Sequence, residues 1–119
     1  MDLSTPLLLF DDDAERASEA TRRSVQAFAR LLELAETRES GQIRRVARFI
    51  AAVYNGDAFP WDPYDLRTVD VGIGDDMLCC LDALRWGRAD LHTLVDDGNA
   101  RVLAVLARWS MAWPGETPV

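Results

Sequence analysis

The sequence predicts an all-α protein, a compact bundle of four main helices plus one or two short helical turns. Three observations carry this. Apolar residues recur every three to four positions in four separate stretches, the repeat of a helix with one buried face. Each stretch is bounded by a capping residue or by a Gly or Pro break. Nowhere do apolar and polar residues alternate over strand length, and no hairpin dipeptide joins two such runs.

The first helix is expected over residues 14–37. Val25, Phe28, Leu32 and Ala35 mark its buried face, and Leu31 and Leu34 widen it. Asp11, Asp12 and Asp13 stand before it, where carboxylates cap a helix and suit its positive end. Ser40-Gly41 then breaks the chain. A second helix follows over residues 42–54, with Ile43, Val46, Ala47, Ile50, Val53 and Tyr54 on one face and Arg44, Arg45 and Arg48 on the other. Asn55-Gly56-Asp57 reads as its stop. In the connector, Asp62-Pro63 is an N-cap followed by proline at the first helical position, so one helical turn is expected over residues 63–68.

The third helix is expected over residues 70–86, with Ile73, Met77, Cys80, Leu81 and Leu84 inward and a start weakened by Gly72 and Gly74. A short helix over 89–95 leads to a last one over 100–112, stopped by Pro114 and burying Val102, Val105, Leu106, Trp109 and Trp113. The domain division that follows is an N-terminal arm, partly mobile, over residues 1–13, one helical domain over 14–114 and a flexible tail over 115–119.

Composition narrows the function classes. The 119 residues carry a net charge of −7, and all 13 basic residues are arginine. Such a chain lacks the surplus of cations that binding to nucleic acid or to an anionic membrane requires, and it favours basic partners. No apolar run approaches a membrane span or a signal peptide. Cys79 and Cys80 are adjacent, a geometry poor for a disulfide, and read as reduced thiols of a cytoplasmic protein.

Chemistry-bearing residues are few. His92 is the single histidine and would need an orienting partner, such as Asp90 or Asp96, to act as a base. One histidine and two adjacent cysteines do not make a zinc site. Asp70, Asp75, Asp76 and Asp82 lie on or near the third helix. The simpler use of Asp75 and Asp76 is to complement its dipole. No cofactor or metal is expected. Two surfaces remain as partner-binding candidates. One is Arg44, Arg45 and Arg48, otherwise a solvated face paired with nearby acids. The other is Phe59, Trp61 and Tyr64 in the connector, otherwise a lid on the bundle.

One resemblance adds context. Gly41-Gln42, Arg44-Arg45-Val46-Ala47-Arg48-Phe49, Tyr64-Asp65-Leu66, Val69-Asp70 and Ile73-Gly74-Asp75-Asp76-Met77-Leu78 together resemble a family of short uncharacterised proteobacterial proteins. That family is a domain of unknown function often carried on plasmids and integrative elements. The resemblance spans residues 28–84, and the sequence follows its own course after Leu84. It implies an accessory gene of mobile DNA and assigns no catalytic residue. The leading expectation is a non-catalytic protein-binding accessory protein, with a homodimer as one form of that binding. The alternatives are an acidic inhibitor or mimic that occupies a basic nucleic-acid-binding partner, and a small enzyme using His92 or the carboxylates of the third helix.

Overall fold

The computed structural model describes residues 5–116 and is helical with no strand among them. The order is α1 (Thr5–Thr37), α2 (Gly41–Tyr54), a 3₁₀ turn (Pro63–Thr68), α3 (Val71–Trp86), a second 3₁₀ turn (Leu91–Thr93) and α4 (Gly98–Arg108). The all-α bundle of four helices with two short turns is thus what the chain forms. The expectations for residues 1–4 and 117–119 lie outside the described residues.

Helix α1 begins earlier than its apolar stripe suggests. Pro6 sits in its first turn, where a missing N–H costs nothing and the fixed backbone angle suits a helix. Asp11 to Asp13 therefore lie inside α1 and do not cap it. The buried face of α1 also differs from the predicted one in its first half. Ala17, Ala20, Ser24, Ala27 and Leu31 continue the three-four spacing towards the N-terminus, and all five are buried. The Ser24 hydroxyl donates to the Thr21 carbonyl, so burial leaves its proton satisfied.

This stripe of small side chains faces α3, which buries Gly74, Met77, Cys80 and Ala83. The pair runs antiparallel: Arg30 meets Asp76, Arg16 lies over the Trp86 ring, and Arg88 donates to the Ala14 carbonyl. Small residues on both sides let the two backbones come close. The larger side chains Phe28, Leu32, Phe49, Ile50 and Met77 fill the space where α2 and α4 join.

Helices α2 and α4 also run antiparallel, with Arg44 over the Trp109 ring at one end and the Tyr54 hydroxyl on Asn99 Oδ1 at the other. Ser40 caps α2 by accepting from the Ile43 N–H. Asp62 accepts from the Tyr64 N–H and opens the 3₁₀ turn over Pro63–Thr68 as the sequence predicts.

Helix α4 ends at Arg108, short of Pro114. Ser110 adopts φ of 54°, its N–H bonds the Ala107 carbonyl, and the Met111 N–H reaches back to Leu106. This is a Schellman stop, with Met111 packed against the small cluster that contains Leu106. A serine in the left-handed region is strained where glycine would not be.

Two glycine exchanges test these local constraints by denaturant unfolding. A Cβ at Gly98 would stand 1.9 Å from the His92 carbonyl oxygen, so Gly98→Ala should lower stability by at least about 1–3 kcal/mol. Ser110→Gly should raise it, by about 0.5–1 kcal/mol, by relieving the left-handed residue. A neutral Gly98→Ala or a destabilising Ser110→Gly would contradict the geometry described.

Candidate functional site

The three α2 arginines leave the helix about 100° apart per residue, and that spacing divides them. Arg45 is half-buried and turns toward the connector, where its Nη1 donates to the Thr68 carbonyl at 3.4 Å. Gln42 lies one turn before Val46 on the same side. Its side-chain carbonyl accepts from the Asp70 N–H, and its Nε2 donates to Asp70 Oδ2 at 3.3 Å. Gln42 and Arg45 thus latch α2 to the entry of α3. Arg45 belongs with this latch and not with a free binding face.

Arg44 and Arg48, one turn apart, are exposed. Among the described residues neither forms an ion pair, so the expectation of a face neutralised by nearby acids does not describe them. Arg44 instead places its guanidinium 5.3 Å from the centroid of the Trp109 ring. Trp109 is held by its indole N–H, which donates to the Ala35 carbonyl at 2.9 Å. Arg108 stands 6.0 Å from the same ring. Arg44, Trp109 and Arg108, with Glu39, Ser40 and Gly41, line an open groove of about 480 Å³. Glu39 is 83% exposed and touches Arg108 only at 3.4 Å. Arg108 is the residue that sequence reasoning missed. It lies on another helix, and only the antiparallel pairing of α2 with α4 brings it to Arg44.

The connector divides as well. Phe59 is buried beneath Trp113, the two rings 5.0 Å apart and edge-on, and forms a small second core with Ala51 and Leu106. Trp61 is half-buried and packs edge-on against Phe49 at 5.1 Å. These two side chains are the lid. Tyr64 is 69% exposed, with Arg67 over its ring at 5.9 Å. Of the three, only Tyr64 presents its ring to solvent.

The remaining candidates have structural neighbours. His92 is half-buried with its ring edge-on to Tyr54 at 4.9 Å, and among the described residues no carboxylate bonds to it. Asp75 and Asp76 lie beyond the first turn of α3, too deep to complement its dipole in the way expected. Asp76 is instead gripped by both arms of Arg30, at 2.8 and 3.0 Å, and ties α3 to α1. Hydrogen bonding to Asp76 holds the Arg30 pKa above its ordinary value. Asp82 accepts from Arg85, and Asp75 is exposed. The carboxylates of α3 are therefore dispersed. Among the described residues no three metal-ligating side chains converge. No helix among them is long and apolar enough to cross a membrane.

Comparison with known proteins gives one relationship. Residues 25–110 match a family described as a family of unknown function (DUF7673). The chain belongs to that family. No curated protein and no solved structure matches it. The family match continues past Leu84, where the resemblance read from the sequence stops, and takes in α4. Within DUF7673 as this chain builds it, the motif strings have architectural work. Gln42 holds Asp70, Arg45 holds Thr68, and Asp76 holds Arg30.

The cysteines yield a test. Burial raises the pKa of both thiols, that of Cys80 most strongly. A raised pKa means less thiolate at a given pH, so the folded protein at pH 8 should react slowly with a disulfide reagent. Cys79, half-buried, should react first and Cys80 only on unfolding, as counted by absorbance with and without denaturant. Rapid modification of both in the folded state would refute the burial described.

Proposed function

We propose that this protein is a non-catalytic binding protein that presents the exposed arginine face of α2 to a protein partner. One observation carries the reading. Seven of the 13 arginines form ion pairs with carboxylates of the same chain, and of the six that form none among the described residues, Arg44 and Arg48 are the two exposed together one turn apart on a single helix face. In a chain with a surplus of seven acids, two adjacent cations left without carboxylate partners are available to an external anionic group. Interface arginines are common anchors because their planar fork binds carboxylates through two hydrogen bonds. Tyr64, exposed on the connector, offers a second anchor.

The wider setting belongs to the same proposal. The motif resemblance supports an accessory protein of a bacterial mobile element, and the two free thiols, Cys80 buried and Cys79 half-buried, suit the cytoplasm. The net charge of −7 weighs against a nucleic-acid partner, since an extended phosphate backbone meets the repulsion of the whole molecule.

The test is affinity purification from the native host, comparing the natural protein with the double variant Arg44→Glu and Arg48→Glu. Both side chains are exposed, so circular dichroism should be unchanged. A specific protein should be recovered by the natural chain and fall about tenfold or more with the double variant, a loss of about 1.4 kcal/mol. Recovery of no specific protein, or equal recovery by both, would refute the proposal.

A further inference from the structure

Resting on that reading, we infer that the groove between the start of α2 and the end of α4 is the seat of an acidic segment of the partner protein, with Arg44 and Arg108 gripping a carboxylate over the face of Trp109. Four observations converge there. Two guanidinium groups lie within 5.3 and 6.0 Å of one indole centroid. The indole is fixed by its bond to the Ala35 carbonyl, so the ring that carries the two cations is already placed before any ligand arrives. The groove is open and of about 480 Å³, room for a few side chains of an extended segment. Gly41 lines it without a side chain, and a Cβ there would meet nothing within 4 Å.

The occupant follows from charge. Of the six lining residues, Arg44 and Arg108 are cationic and only Glu39 is anionic. Glu39 is solvent-exposed and its contact with Arg108 is long, so an incoming carboxylate can replace it at little cost. Arg108 also donates to the Arg38 carbonyl, which holds its guanidinium near the mouth of the groove. The first backbone N–H groups of α2 add partial positive charge to a site that the two arginines define.

A short segment carrying one or two carboxylates senses mainly charges within a Debye length of about 8 Å at physiological salt. It meets the local cations and escapes most of the net repulsion. An extended nucleic acid would not. A neighbouring apolar side chain of the segment would lie on the Trp109 ring, supplying apolar contact beside the charge.

The test uses immobilised ten-residue peptides of one apolar pattern, with Glu, Gln or Lys filling the polar positions, and the full-length chain as the soluble species. The Glu peptides should bind about tenfold or more tightly than the Lys peptides at low salt, and the preference should shrink as salt is raised. Arg44→Gln and Arg108→Gln should each reduce Glu-peptide binding to the level of the Gln peptides, while Arg22→Gln, an exposed arginine of α1 paired with Glu19, should not. No preference for Glu peptides, a preference that survives both arginine changes, or tighter binding of a single-stranded oligonucleotide in competition would overturn the inference. A partner recovered from the host in the absence of any Glu-peptide preference would leave the protein-binding reading standing and remove only this groove from it.

Discussion

The buried face of α1 is the constraint on which the rest depends. Helix α1 presents small side chains at Ala17, Ala20, Ser24 and Ala27 and large apolar ones from Phe28 onward. The small residues admit α3 at close range, and the large ones hold α2 and α4 around Phe28, Leu31 and Leu32. A fully buried Leu or Phe contributes roughly 1.5–3 kcal/mol of transfer free energy, so this stripe outweighs any single polar contact in the molecule. Both turns and the connector are placed by helices that α1 has already positioned.

Polar contacts then set register and not overall stability. Arg30 on Asp76 and Arg101 on Glu36 are bidentate pairs that fix how α3 and α4 lie along α1. Gln42 and Arg45 fix how α2 meets the start of α3. Because these residues are consumed by the architecture, the arginines that remain on the surface of α2 stand out. Arg44 and Arg48 share a helix face, but only Arg44 is brought beside a second cation and an immobilised aromatic ring. The proposed binding role therefore arises where a helix face left without acidic partners meets the end of α4.

Much of the fold was legible in the sequence because apolar periodicity and capping chemistry act locally. Ser40, Asp62 and Gly87 mark boundaries where a side chain or a glycine does what its chemistry requires. The errors have physical causes too. A search for large apolar residues passes over Ala17, Ala20, Ser24 and Ala27, so it traces the buried face only from Val25 onward and leaves residues 5–13 as an arm with an acidic cap. The stop of α4 rests on a serine in a left-handed conformation, which no residue preference announces. The candidate site was half legible. An arginine cluster was visible, but its division into latch and free face depends on which neighbours each side chain finds. Arg108 and the fixed Trp109 ring reach Arg44 only through tertiary pairing, and no spacing within one segment encodes that.

Amide hydrogen exchange under native conditions tests the central claim most directly. If the α1 stripe organises the bundle, the amides of residues 27–35 should exchange only by global unfolding and share the highest protection in the chain. The first 3₁₀ turn and residues 109–116 should exchange by local opening. Rapid exchange across residues 27–35 while α2 and α4 stay protected would show that the bundle holds without α1, and the account would be wrong.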